Sequence, residues 1–417
     1  MTTIRWGARA LGAVLLAGSL SGCSDFLSNV GENRNVVPNA SVGQLLTTVQ
    51  LNAWYYNESQ IARLTSMWLN QMAGTDRQFA ALDQYIINES SANGEFTAPY
   101  TGGGLVDIQK AIARAEELGY RNTVGVLKIH QAFLFGMHAS IFGDIPFSEA
   151  GNLENTEPKF DTQAEVYAAV QKLLDEAITD LAATASAGDA AVLRDRDLRF
   201  RGNAARWTAV AWSLKARFHM HLAEVDPARY GQALAAAQQG IMTPAGNWTA
   251  VHSGATTEAN LWHQFQRDRS GYISGGALLI NKLEAANDPR LQIYFTTGSR
   301  SFAGQYAGSA PGTGGTTTDP GVNASNLNVP GSANYNQPIV TCAETQFIIA
   351  EAQHQAGNTA AANAALQAGI ACQEGLFGIE IPRPAALSGN ALLVEIIDQK
   401  YKALFLNMEA YNDYKRT

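Results

Sequence analysis

The stretch HASIFGDIPFSEA, residues 138–150, runs an aromatic and apolar segment into a Gly-Asp-Ile-Pro turn. Just upstream, Leu127, Leu134, Met137 and Ile141 recur on one stripe, so the spacing predicts a helix over 123–142 that Gly143 ends. Asp144 then has two readings. It is a lone candidate for a catalytic carboxylate, or it bonds nearby backbone in a turn where glycine supplies positive φ and proline forbids helix. The turn accounts for all three residues together and is the preferred reading.

Working outward, Thr162-Gln163-Ala164-Glu165 has the pattern of a capping box: the threonine oxygen accepts from an early backbone N–H while the glutamate reaches back. Val166, Val170, Leu173, Ala177 and Leu181 follow as a core-facing stripe. Helices are also expected at 105–118, around Trp207, Val210, Leu214 and Phe218, from Ala228 behind Pro227, around 278–286, and over 390–414. Leu45, Val49, Trp54, Ile61, Leu64 and Trp68 mark two more near the start. Residues 74–104, 194–203 and 296–338 lose periodicity and read as loops. Alanine-rich helices flank Gly357-Asn358. The sum is a mostly α chain with long decorated loops and only minor sheet. Its small-residue contacts suggest tetratricopeptide-like pairs, in a repeat too degenerate to establish by period.

The chain has 417 residues, 46% hydrophobic and 16% charged, enough for a large core. Its first 22 residues carry Arg5 and Arg9, an apolar run from Leu11 to Leu20 too short to span a bilayer, and small residues before Cys23, the layout of a signal peptide. Leu20-Ser21-Gly22-Cys23 resembles a bacterial lipobox, which makes Cys23 the expected lipidation site and residues 23–40 a polar tether. Loss of the two signal arginines takes 29 basic residues to 27 against 37 acidic, a net charge of −10. Nucleic acid is therefore not an expected partner, and with no polybasic patch the acyl chains alone must hold the membrane. Residues 41–417 read as one domain.

Familiar catalytic signatures are absent: HExxH, GxSxG, GxGxxG after a strand, GxxxxGK(S/T) and paired CxxC. His219 and His221, about 200° apart on a helix, do not share a metal readily. No cofactor or metal is expected. A glycosidase needs only two carboxylates across a cleft, at unconstrained sequence spacing, so an exported glycan hydrolase stays open as an alternative. A helical-repeat protein scaffold is another. Cys342 and Cys372 each lie fifteen residues from Gly357, so folding the hairpin brings both to one end. There they either form a disulfide, which export permits, or sit as two small buried thiols.

Taken together, IFGDIPFSEA and PKFDTQAEVYAAVQKLLDEAITDL resemble the SusD/RagB family of surface lipoproteins through Gly143, Asp144, Pro146, Phe147, Pro158, Phe160, Glu165 and Tyr167. Trp207, Ser213, Leu214 and Arg217 resemble its Trp-x-x-x-x-x-Ser-Leu-x-x-Arg helix, AETQFIIAEAQHQAG a further segment, and QKYKALFLNMEAYNDYKRT its closing helix. Family members usually continue beyond an end such as Arg416-Thr417, so a final turn and loop are expected to be missing. The resemblance implies a tetratricopeptide-like scaffold with a loop-rich ligand face and no catalysis. It implies capture of a nutrient oligomer, chiefly a glycan, for a SusC-like TonB-dependent outer-membrane transporter, from a lipid-anchored position on the outer membrane facing the exterior.

Binding an oligosaccharide needs flat aromatic faces with amide or guanidinium groups beside them. Residues 68–104 supply Trp68, Tyr85, Phe96 and Tyr100 beside Asn70, Gln71, Arg77 and Asn93. Trp262, Gln264, Arg267 and Tyr272 repeat the mixture, as do Tyr294, Arg300 and Tyr306. Trp68 and Trp262 fit scaffold packing equally well. Tyr100, between Pro99 and three glycines, is the sharper candidate.

Overall fold

The turn after residue 142 depends on what its neighbours do with their polar atoms. In the computed structural model, which describes residues 40–152, 154–313 and 319–417, Gly143 takes φ +81° and its N–H closes the helix on Ala139 O at 2.9 Å. Asp144 Oδ1 accepts from Gln163 N at 2.9 Å and so ties the turn to the first residue of the next long helix. Asp144 is architecture. The capping box is present: Thr162 N donates to Glu165 Oε2 at 2.8 Å and Glu165 N to Thr162 Oγ1 at 3.3 Å. Cys23 and the tether up to residue 39 lie outside the described residues.

In chain order the elements are α1 (Val42–Glu58), α2 (Gln60–Trp68), β1 (Met72–Gly74), α3 (Arg77–Asp83), α4 (Asn93–Thr97), α5 (Leu105–Glu117) and α6 (Arg121–Phe142). Next come β2 (Ile145–Pro146), β3 (Phe160–Asp161), α7 (Gln163–Leu181), α8 (Ala187–Arg196), α9 (Ala204–Met220) and α10 (Ala228–Ala237). The remainder is β4 (Trp248–Thr249), α11 (Leu261–Asp268), β5 (Ile273–Gly275), α12 (Ala277–Ala285), α13 (Arg290–Tyr294), β6 (Pro338–Val340), α14 (Cys342–Gln355), α15 (Thr359–Phe377), α16 (Gly389–Ala403) and α17 (Glu409–Arg416). Residues 42–417 make one compact unit. Sheet among the described residues is three antiparallel two-stranded ribbons, β1–β5, β2–β3 and β4–β6.

Each long helix packs on the next: α5 on α6, α6 on α7, α7 on α9, α9 on α10, α10 on α14, and α14 on both α15 and α16. That succession is the tetratricopeptide-like scaffold. Small residues set its spacing, since a Cβ on Gly136 of α6 would lie 2.2 Å from Phe218 Cζ of α9. The two helices touch at backbone depth there, where any side chain overpacks. Cys342 and Cys372 form a disulfide with Cα atoms 5.9 Å apart, closing the open end of the α14–α15 hairpin.

The residues of the α9 motif each fasten a different element. Trp207 Nε1 donates to Asp197 Oδ2 at 2.8 Å, Ser213 Oγ accepts from Ile241 N at 2.9 Å, and Arg217 is wholly buried against Glu344 of α14. A fully buried guanidinium persists because its partners replace water: Nε and Nη2 reach both Glu344 oxygens at 2.6 Å, and Nη2 also reaches Ile339 O at 2.7 Å.

Several expectations differ from what forms. Residues 74–104 are not an irregular loop but a string of short helical pieces. Asp76 caps α3 through Arg77 N at 2.8 Å, and Asn88 caps a 3-10 turn through Ser90 N at 3.0 Å. Pieces this short never complete a stripe of apolar residues. The loop expected at 194–203 begins inside α8, whose apolar stripe is weak and whose start is capped by Ser186 Oγ accepting from Asp189 N at 3.3 Å. The closing helix over 390–414 is two helices, broken where Leu406 takes φ +61°. In α7 it is Leu174, not Leu173, that is buried.

Candidate ligand-binding face

β1 pairs with β5 in the register Met72↔Gly275, Ala73↔Ser274, Gly74↔Ile273, which stitches two distant loop segments into one face. Thr75 strengthens the seam, donating its backbone N–H to Tyr272 O at 3.0 Å and its hydroxyl to Gly271 O at 2.7 Å. The aromatic residues of these loops separate into three groups.

The first is an open ladder. Trp68 and Tyr85 stack with centroids 6.1 Å apart at 28°, Tyr411 lies 5.7 Å from Trp68, and Tyr414 lies 6.4 Å from Tyr411 at 26°. Tyr85 and Tyr414 are 64% and 67% exposed, while Trp68 is held by its Nε1 donating to Leu82 O at 3.2 Å. A cleft of about 580 Å³ opens beside them, lined also by Asn70, Lys282, Asp398 and Tyr401. Lys282 and Lys402 both pair with Asp398 at 2.6 Å, and burial is outweighed by these two cations so that the Asp398 carboxyl sits below its usual range.

The second group lies at the start of α3. The Arg77 guanidinium stands 5.5 Å from the Tyr272 ring, with Phe79 and Phe265 beneath. Arg267 is exposed and forks onto neighbouring Asp268 at 2.7 and 2.9 Å. Trp262 is 1% exposed and presents no open face; it packs beneath Arg63.

The third group faces the Gly-Asp-Ile-Pro turn. Tyr100 is half-buried and its hydroxyl donates to Pro146 O at 2.7 Å; its ring meets Phe135 and His138. Phe96 packs on His138 at 5.0 Å and Phe142 at 5.2 Å, leaving Phe160 stacked outside it. Burial pushes the His138 imidazole down to about 3, so it is neutral at ordinary pH. Asn93 is exposed at the start of α4.

Of the candidates in the third loop segment, Tyr294 is buried against Phe405 and donates its hydroxyl to Lys402 O at 3.0 Å. Arg300 is exposed and Tyr306 half-buried. The structure therefore brings Trp68 and Tyr85 together, brings Arg77 and Tyr272 together, and sets Phe96 and Tyr100 apart with the turn. Sequence reasoning missed Tyr411 and Tyr414 on the ladder. Their signal was present in the i, i+3 pair of tyrosines on an otherwise polar last helix.

His219 and His221 diverge: burial with Lys215 and Arg229 nearby holds His219 down at about 4, while His221 Nε2 meets Glu409 at 2.8 Å. Among the described residues no group of three or more His, Cys, Asp or Glu is placed to hold a metal, and no helix is long and apolar enough to cross a membrane.

Comparison with known proteins agrees with this architecture. A SusD/RagB family protein from Bacteroides thetaiotaomicron superposes with a TM-score of 0.74 at 20% identity, covering 90% of this chain and 87% of that one. A chitin-binding SusD homologue from Flavobacterium johnsoniae gives 0.76 at 18%, covering 90% and 86%. A structure named as a chitin-binding protein gives 0.74 at 24%, covering 90% and 87%. At these identities the likeness shows the fold alone. No curated protein matches. The sequence pattern of the SusD-like family, described as starch-binding and associating with the outer membrane, matches residues 33–417, and the chain belongs to that family.

Proposed function

We propose that this protein is a non-catalytic surface lipoprotein, anchored at Cys23 on the exterior of the outer membrane, that captures a glycan and passes it to a SusC-like TonB-dependent transporter. The observation that carries the reading is the ladder Tyr85–Trp68–Tyr411–Tyr414 beside an open cleft. Successive flat rings match the apolar faces of successive sugar units, and Asn70, Lys282 and Asp398 offer polar groups for hydroxyls. Arg77 with Tyr272 extends the same chemistry along the seam. Trp262 packs beneath Arg63 behind this surface, whereas Phe96 and Tyr100 belong with the Gly-Asp-Ile-Pro turn. The chitin-binding of two structural relatives favours a glycan over a peptide.

Calorimetric titration with starch-derived and chitin-derived oligosaccharides tests this reading. Measurable binding without new reducing ends supports it; new reducing ends would restore the hydrolase. Uptake that persists in a strain lacking this protein but keeping its transporter counts against delivery. Retention of a Cys23→Ala variant in the membrane fraction would remove the anchor, since stable attachment requires acyl chains.

A further inference from the structure

A second cavity, of about 460 Å³, lies away from the ladder, between the chain before β6, the α8–α9 connection and the end of α15. That volume falls within the roughly 300–1,000 Å³ of small-ligand sites. Its lining is unusual for this chain. The sequence holds 37 acidic against 29 basic residues, yet no aspartate or glutamate lines the cavity, whereas Arg199, Thr249, Asn334 and Tyr335 do.

Two side chains there carry a polar atom with no hydrogen-bond partner among the described residues. Arg199 spends Nε and Nη2 on a single carbonyl, Asn247 O, at 2.9 and 2.5 Å, and among the described residues no acceptor takes Nη1. The nearest carboxylate, Asp197, is already engaged by Trp207 Nε1, Gly202 N, Arg199 N and Phe200 N. Burial and the neighbouring Arg206 lower the Arg199 guanidinium from its ordinary value, as expected of a cation without a full partner. Thr249 Oγ1 is buried without a hydrogen-bond partner. Tyr335 is half-buried on the same wall, and burial raises its hydroxyl.

We propose that this cavity binds the carboxylate-bearing end of an acidic sugar, a uronate, at a site separate from the aromatic ladder; the inference rests on the glycan-capture reading only for the class of molecule. The carboxylate meets Arg199 Nη1 and the Tyr335 hydroxyl, ring hydroxyls meet Thr249 and Asn334, and Phe377, held by Tyr294 with centroids 5.8 Å apart, supplies an apolar wall.

The test uses α-1,4-linked digalacturonate and its dimethyl ester, which keeps the sugar and removes the charge. Digalacturonate is expected to bind the wild-type protein about tenfold or more tightly than the ester, a charge-assisted contact of about 1.4 kcal/mol or more. Asn334→Asp, on an exposed rim position, is expected to weaken digalacturonate alone by a similar factor, and Arg199→Lys to retain most of it. Tyr85→Ala is expected to leave it unchanged while abolishing binding of neutral oligosaccharides. Equal affinity for acid and ester, no binding at millimolar digalacturonate, or its loss in Tyr85→Ala would each overturn the proposal. Digalacturonate binding without any neutral glycan binding would overturn the ladder reading and leave this one standing.

Discussion

Arg217 and Glu344 meet as a doubly hydrogen-bonded ion pair with side chains 0% and 1% exposed, and Glu409 of the last helix approaches the same guanidinium at 3.7 Å. Three parts of the chain, α9, α14 and α17, thus share one charge cluster. Removing one partner leaves a buried charge uncompensated. Arg217→Met is expected to cost about 3–5 kcal/mol in urea unfolding, and the Arg217→Met, Glu344→Leu pair distinctly less than the sum of the two single changes. Additive costs would show that the pair does not act as a unit.

Acid sensitivity follows from two other buried groups. Burial holds His130 down at about 4 and His138 at about 3, against an unfolded value of 6.5. Both are neutral in the folded protein, so their contribution is fully present above about pH 6.5 and is lost as pH falls, because only the unfolded chain takes up the proton. Stability should decline by about 1 kcal/mol or more per pH unit for each between pH 6 and 4. His138→Phe should flatten that slope, even though it also loses the bond to the Tyr56 hydroxyl at 3.1 Å. An unchanged slope would place the acid sensitivity elsewhere.

The Cys342–Cys372 bond closes a loop with a sequence separation of 30. Chain-entropy arguments assign such a crosslink about 3–4 kcal/mol. A Cys342→Ala, Cys372→Ala protein is expected to unfold at lower denaturant concentration by that amount, and labelling of the denatured, unreduced wild type should find neither cysteine free.

Tyr85 and Tyr100 should behave oppositely. Tyr85→Ala, at an exposed ring, is expected to abolish binding of neutral glycans and change stability by about 0.5 kcal/mol or less. Tyr100→Ala removes the bond to Pro146 O and the packing on Phe135 and His138, so about 1–3 kcal/mol of stability should go while affinity remains. Titration and melting of both variants decide this, and lost binding in Tyr100→Ala with an intact melt would return that ring to the ligand face.

How much of this was legible beforehand depends on the range of each interaction. The α6 stop at Gly143, the Thr162 capping box and the hairpin about Gly357 are written within a few residues and were readable. Trp262 and Tyr100 were not, because whether a ring is covered depends on partners such as Arg63 or Pro146 that local spacing does not reveal. The ladder was half visible: Trp68 and Tyr85 stood out as loop aromatics, whereas Tyr411 joins them from more than 300 residues away.

The β1–β5 seam has a temporal meaning as well as a spatial one. Met72–Gly74 find their strand partner only when Ile273–Gly275 have been made, and Trp68 waits longer still for Tyr411. The helices between them need no such delay, since α5 to α10 pack mainly on near neighbours in the chain. Closing so long a loop is costly before the contacts that reward it exist. The α5–α10 half of the scaffold can therefore order on its own contacts, whereas the β1–β5 seam and the Trp68–Tyr411 contact join only once residues 273–275 and 411 are present.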